Sequence, residues 1–400
     1  MSDFSDHSQI PGGFRLATAK AGFKHQDRPD LALIFSDNPV TCAALFTTNL
    51  FQAAPVKAAL TNLKKSSGIR AVLVNTGQAN ACTGDVGMSN CLQTLEMLAG
   101  LLGIEPHDIL PASTGVIGDH LKLKLFAENL PRLVDNLGRS SGEDAARAIM
   151  TTDSFPKTAF CRARLGQGMV RFWGMAKGAG MICPNMATML AFILTDLEAE
   201  QGQWQQMIKD AADQSFNALT IDGDTSTNDC LIALAGGKSR VSINTDQDHE
   251  RVVQALDIIC SDLAYQIVRD AEGGTRVLRI TVKGAKDRQQ ARKAADAVGN
   301  SPLVKTAMYG GDPNWGRIVA ALGRSGAMFN PDLVRISLAG VEIFALGRPV
   351  DMDRDQVFEP LLGLPDIEIS IDLGAGPGSC TLLASDLTEE YIKINAHYRT

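Results

Sequence analysis

The chain has 400 residues, 45% of them hydrophobic, which is enough for one large domain or two ordinary ones with a full core. A net charge of −7 argues against nucleic acid or an anionic membrane as the main partner, and the N-terminus lacks the basic and apolar segments of a secretory signal. The eight cysteines form no CxxC pair and lie mostly in apolar runs, which reads as reduced thiols in a cytoplasmic protein; the scattered histidines offer no zinc spacing.

Taken from the N-terminus, residues 30–36 and 71–75 read as short buried strands. Residues 85–102 read as an amphipathic helix, because Met88, Cys91, Leu92, Leu95, Leu98, Ala99 and Leu102 keep the 3.6 period and Gly103 stops it. PASTGVIG, 111–118, reads as a small-residue loop in which the Thr114 hydroxyl beside the Gly115 N–H can form an oxyanion hole, or as a plain turn. TTDSFPKT, 151–158, offers hydroxyls and Lys157 to a carboxylate, or is a solvated connection.

Next comes KGAGMICPNMATML, 177–190, leading into an apolar strand over 189–194. Gly178, Gly180 and Pro184 exclude a helix, and Asn185 favours a tight turn. A threonine at such a turn, Thr188, can attack the carbonyl of Ala187 and cut its own chain. The product is an N-terminal threonine whose hydroxyl is a nucleophile and whose α-amine, titrating near ~7.7–8.0, is its base. The plainer alternative is an ordinary turn with a buried hydroxyl.

Helices follow over 199–216 and 250–268, the second with Val252, Leu256, Ile259, Leu263 and Ile267 in one stripe. Between them DGDTSTND, 222–229, superficially matches a calcium loop, but Thr227 replaces the required glycine and Ala233 the terminal glutamate, so calcium is rejected. GAGPGS, 374–379, is not a dinucleotide fingerprint, and no P-loop or serine-hydrolase elbow is present. Leu278, Ile280 and Val282 alternate as a half-buried strand, and the basic stretch 283–293 marks a division into a main domain, 1–285, and a smaller C-terminal domain, 286–400. A helix over 287–298 and strands over 334–338, 342–344, 367–373 and 380–384 complete the chain. Strands and helices mix without a βα rhythm, which favours α+β.

Several segments converge in order. They are FTTNLFQAAPV (46–56), AVLVNTGQANACTG (71–84), STGVIG (113–118), MTTDSFPKTA (150–159), KGAGMICPNMATML, DGDTSTND, RDAEGGT (269–275), GGDPNWGRI (310–318) and YIKINAHYRT (391–400). With these blocks the chain resembles the ornithine acetyltransferases (glutamate N-acetyltransferases) of arginine biosynthesis, which cleave themselves before a threonine. The resemblance implies an α+β sandwich of stacked sheets flanked by helices, of the N-terminal-nucleophile type, with a smaller C-terminal α/β domain. It implies cleavage between Ala187 and Thr188 into an α chain, 1–187, and a β chain from 188, assembled as a heterotetramer of two of each.

By the same resemblance Thr188 is the nucleophile and Thr114 and Gly115 form the oxyanion hole. Thr151, Lys177, Thr188, Glu272, Asn395 and Thr400 hold the substrate. The implied reaction moves acetyl from N2-acetylornithine to glutamate through an acetyl-threonine ester, with no metal and no cofactor; acetyl-CoA serves some members as a co-substrate. Lys177 and Glu272 suit an amino-acid substrate, which needs one cation and one anion among neutral hydrogen-bonding groups. The rival on the same architecture is an aminopeptidase or amidase that lets water resolve the ester. The rival from another class is a binding protein that never cuts itself.

Overall fold

The computed structural model describes residues 10–24, 27–183, 189–351, 358 and 363–397. A first sheet has the strand order β4-β3-β2-β9-β7-β6-β5, with β1 paired to β2. Its strands are β1 (Phe14–Ala19), β2 (Leu31–Phe46), β3 (Ile69–Gln78), β4 (Ile109–Val116), β5 (Lys157–Leu165), β6 (Gly168–Lys177), β7 (Leu190–Thr195) and β9 (Cys230–Ala235). The long β2 organises it. Ahead of a register slip between Phe35 and Val40 it pairs with β1 and β3; beyond the slip it pairs with β9. The slip falls on the exposed Asp37, Asn38 and Pro39, where a proline without an N–H interrupts the β3 ladder before its last pair, Val40↔Ile69.

One strand therefore feeds two half-sheets that stack face to face. Leu16, Ile34, Val72 and Leu110 from one half share a core with Trp173, Phe192, Leu194 and Ile232 from the other, joined by Ala145 and Ala146 of α4 (Gly142–Ala148). Helices α1 (Ala54–Lys65), α2 (Gly84–Leu102) and α3 (Leu123–Asp135) flank the first half, whose outer face buries Leu33 and Leu73 with Leu95, Leu98 and Phe126. The outer face of the second half buries Ile193 and Leu231 under Trp204 of α5 (Gln201–Gln214) and Ile259 and Leu263 of α6 (Asp246–Arg269). Burial on both faces explains the unbroken apolar runs at 31–35, 71–74 and 189–194, which carry no alternation. The expected α+β sandwich of stacked sheets between helices is what the chain forms.

A second sheet runs β13-β12-β11-β14-β10-β15-β8. Here β8 is Leu219–Thr220, β10 Val277–Ala285, β11 Arg335–Leu338, β12 Val341–Ala345, β13 Arg348–Pro349, β14 Asp366–Asp372 and β15 Gly378–Ser385. Leu278, Ile280 and Val282 are buried while Arg279 and Lys283 are exposed, so one face is covered and the other largely wet. The covered face packs on α7 (Arg288–Gly299), α8 (Pro302–Tyr309) and α9 (Trp315–Gly323) through Ala294, Val298, Met308 and Ile318. Because β10 is an inner strand of this sheet, the second layer begins at Val277 by strand membership, ahead of the expected division at 285/286. The short β8, contributed from between α5 and α6, adds an edge strand parallel to β15 and stitches the two parts together.

Two local expectations change. The segment 111–118 is not a loop: Ile109–Val116 is a strand in continuous parallel register with β3, from Ala71↔Ile109 to Gln78↔Val116. Its small residues reflect close strand approach. Helix α2 does stop at Gly103, which takes the left-handed φ of 67° that glycine tolerates. Among the described residues no helix is long and apolar enough to cross a membrane.

Candidate active site

Thr114, Gly115, Thr151, Lys177, Glu272 and Asn395 line one cavity of about 130 Å³. Ala187, Thr188 and Thr400 lie outside the described residues. The chain resumes at Met189, whose N–H donates to Asp229 Oδ1 at 3.0 Å and whose carbonyl accepts from Cys230 N at 3.1 Å. β7 then pairs with β6 so that Leu190 faces Lys177 across the ladder. The strand that follows Thr188 is thus fixed beside the end of β6.

Lys177 is the last residue of β6 and is buried. Its Nζ donates to Thr114 Oγ1 at 3.4 Å, and it forms no ion pair among the described residues. Burial holds its ammonium below the usual lysine value; Asp153 opposes that, Lys157 adds to it, and Asp229 and Glu272 oppose it. Thr114 and Gly115 reach the same space from the end of β4. Gly115 has φ +132°, and a Cβ there would lie 2.3 Å from the backbone carbon of Gly77, so only glycine fits this crossing. The bare backbone suits close approach by a reacting carbonyl.

Thr151 is held by a carboxylate on its own loop: its N–H donates to Asp153 Oδ2 at 2.9 Å. Asp153 Oδ1 also accepts from Gly178 N and from Lys157 Nζ, each at 2.7 Å. Burial by itself would raise the Asp153 carboxyl, yet Lys177, Lys157 and these hydrogen bonds together bring it down to about 2. Lys157 makes a second pair, to Asp270 Oδ2 at 2.5 Å, and Asp270 in turn accepts from Ser154 N at 2.9 Å. Lys157 is therefore neither a solvated residue nor a free anion receptor. It is fully buried and already committed to two carboxylates of its own chain.

Two residues beyond Asp270, Glu272 donates its N–H to Ala179 O at 2.7 Å, which sets its side chain over the glycine segment after β6. A Cβ on Gly180 would lie 2.4 Å from Glu272 Oε2, so the missing side chain makes the room that the carboxylate occupies. Asn395, on α10 (Glu389–His397), donates its Nδ2 to the same Oε2 at 3.1 Å. Tyr391 of that helix donates its hydroxyl to Asp222 Oδ2 at 3.3 Å, while Asp222 accepts from Met181 N and Ile182 N. The C-terminal helix is docked onto the cavity through these contacts.

The sequence reading did not single out Asp222, Asn228 and Tyr391, which also line the cavity. Asn228 ties the walls together, donating Nδ2 to Ala79 O at 2.7 Å and Ser113 O at 2.9 Å. A signal for the first two was the density of polar residues over 222–229, a stretch that the sequence offers as a rejected calcium loop and as one of the ordered family blocks.

The sequence pattern of the ArgJ family matches residues 15–400. The chain belongs to the ArgJ family. The "Arginine biosynthesis bifunctional protein ArgJ" of Nitratidesulfovibrio vulgaris is 52% identical over 394 residues, covering 98% of this chain and 100% of that one. Its counterpart of the same name from Synechococcus sp. is 42% identical over 400 residues, with 98% and 96% covered. Among solved structures, the arginine biosynthesis bifunctional protein argJ of Bacillus halodurans is 35% identical with a TM-score of 0.49, over 51% of this chain and 96% of that one. The ornithine acetyltransferase of Mycobacterium tuberculosis, solved with ornithine, is 34% identical with a TM-score of 0.41, over 44% and 95%. The ArgJ membership agrees with the resemblance carried by the ordered motifs. In this ArgJ chain the cavity sets a buried cation, a carboxylate, hydroxyls and bare backbone within one small volume.

Proposed function

We propose that this ArgJ-family chain cuts itself between Ala187 and Thr188 and then transfers acetyl from N2-acetylornithine to glutamate. The observation that carries this reading is the cation at the cavity floor. Lys177 is buried, has no ion-pair partner among the described residues, and is in register with Leu190, two residues after Thr188. A buried ammonium is costly unless something negative completes it. A substrate carboxylate, or the oxyanion of acyl transfer, is such a group.

In the forward half-reaction the Thr188 hydroxyl attacks the acetyl carbonyl, with the freed α-amine taking its proton. The C–N bond breaks, ornithine leaves with that proton, and an acetyl ester remains on Thr188. The amine of glutamate then attacks the ester, giving N-acetylglutamate and restoring the hydroxyl. Thr114 and Gly115 face the developing oxyanion, and each such donor contributes roughly 10²–10³ in rate. Lys177, Glu272, Thr151, Asn395 and Thr400 take the charged and hydrogen-bonding ends of the amino acid.

The family resemblance implies acetyl-CoA as a second donor for some members and no other cofactor, and the relatives' name "bifunctional" is compatible with a second activity. The free cysteines fit a reducing cytoplasm, and the family resemblance supports a heterotetramer of two α and two β chains, which native mass spectrometry reads directly.

Denaturing mass spectrometry of wild type and Thr188→Ala tests the core of the reading. Wild type should divide its 42.7 kDa into fragments of roughly 20 and 23 kDa, scaled by length, and the variant should stay whole. Acetylornithine should add one acetyl group to the fragment that begins at Thr188. Release of that group by glutamate, faster than by water, separates transfer from the hydrolase alternative. An uncut wild-type chain overturns the mechanism.

A further inference from the structure

Asp229 immediately precedes β9, is 1% exposed, and is not among the residues that line the cavity. Its backbone is tied down, since its carbonyl accepts from Thr47 N at 3.0 Å. Its carboxylate is divided in function. Oδ1 accepts the Met189 N–H at 3.0 Å, while Oδ2 is completely buried and makes no hydrogen bond among the described residues. Buried polar atoms are rarely left in that condition, and an unsatisfied carboxylate oxygen calls for an explanation.

The chain direction supplies one. Met189 N–H belongs to the peptide just after Thr188, and the peptide before it is the Ala187–Thr188 bond. Consecutive residues are ~3.8 Å apart along the chain, so the carboxyl that holds the Met189 N–H sits one residue's length from the residue after which the chain resumes. We propose that Asp229 is the proton-transfer group of self-cleavage, with Oδ1 holding the Met189 N–H and Oδ2 serving the Ala187–Thr188 peptide. This rests on the reading of Thr188 as the self-processing residue.

The step balances without any added reactant but water. The Thr188 Oγ attacks the Ala187 carbonyl carbon, and the carbon–nitrogen bond breaks as Asp229 gives its proton to the leaving nitrogen. Asp229 takes up the proton that the hydroxyl loses, so it ends as it began. Water then hydrolyses the ester, its OH going to Ala187 and its proton to Oγ. The surroundings suit a carboxyl in this role. Burial pushes Asp229 well above the usual carboxylate range, against the pull of the Met189 N–H, Lys177 and Ser226, so it keeps a proton further towards neutrality than an ordinary aspartate.

The test follows cleavage of freshly synthesised full-length chain by denaturing mass spectrometry, with thermal melting as the check on folding. Asp229→Asn keeps an acceptor for Met189 N–H but cannot pass the proton. It should melt as wild type does and cut about 10²-fold or more slowly, the usual range for a lost general acid–base. Asp229→Glu, which retains the acid, should recover cutting to within about tenfold of wild type; a purely structural aspartate would not be rescued in this way. Folded Asp229→Asn that cuts at the wild-type rate overturns the proposal and leaves the Thr188 reading standing. If Asp229→Asn does not fold, Asp229→Glu decides: folded and cutting supports the role, folded and uncut overturns it. A wild-type chain that never cuts overturns both readings.

Discussion

Two lysines on neighbouring strands of this protein sit in closely similar burial and opposite company. Lys157 opens β5 and Lys177 closes β6, with Lys157 facing Ala176 across the ladder. Lys157 is matched by Asp153 at 2.7 Å and Asp270 at 2.5 Å, a closed set that ties the 151–156 loop to the end of α6. Among the described residues Lys177 has Thr114 Oγ1 at 3.4 Å as its hydrogen-bond partner and an opening onto the cavity. The contrast separates a cation that completes the fold from a cation kept for something outside it. The two are joined through Asp153, whose other contacts are the N–H groups of Thr151 and Gly178, so the closed set also aims the open one.

The comparison is broken most severely by Lys157→Met. Removing this cation strands two buried carboxylates, and breaking a buried pair in this way costs about 3–5 kcal/mol. Urea unfolding should show the loss, with activity falling only as the Thr151 and Gly178 walls loosen. Lys177→Met should do the reverse. In the purified variant kcat/KM for acetyl transfer should drop about 10²-fold, equivalent to about 2.7 kcal/mol, while stability falls less than in Lys157→Met, because Lys177 forms no ion pair among the described residues and acts on Asp153 only from further off. A Lys177→Met protein that transfers acetyl normally would remove the distinction between the two lysines.

The acid limb sharpens it. The Asp153 carboxyl is held down to about 2 in the fold, against ~3.9 when unfolded. The unfolded chain therefore binds the extra proton across this window, and stability rises with pH there. The contribution, about 2 kcal/mol, is complete above the unfolded value and is lost as pH falls through about 2. Asp153→Asn should flatten that stretch of the stability–pH curve, and Lys157→Met should move it to higher pH. The smallest change is Tyr391→Phe, which removes one exchangeable hydrogen bond to Asp222. It should cost about 1 kcal/mol, read as a several-fold rise in KM with kcat nearly unchanged. An unchanged KM would detach the C-terminal helix from substrate binding.

Much of the framework was legible from the chain because apolar pattern and end signals act locally. The run from Met88 to Leu102 with Gly103 behind it specified α2, and Leu278, Ile280 and Val282 specified β10. The small-residue stretch around Thr114 misled as a loop, since strand pairing of Gly115 with Gly77 is a property of two distant segments. For the same reason the chain alone does not show that β10, just ahead of 285, is an inner strand of the second sheet, flanked by β14 and β15. Asp153 and Asp229 were invisible as site residues, because a carboxylate in a polar segment is ordinarily solvated.

The sequence by itself determined the α+β class, the family, and the residues at the cavity that follow from ordered motifs: Thr114, Gly115, Thr151, Lys177, Glu272 and Asn395. Only the tertiary structure decided which charges are satisfied. Whether a lysine is closed, like Lys157, or open, like Lys177, depends on carboxylates brought up from α6 and from the loop before β5. Whether Asp229 keeps an oxygen without a hydrogen bond among the described residues depends on β9 laying its first residues beside Met189. Desolvation acts on distances in space, and those distances are set when the half-sheets pack, not by spacing along the chain.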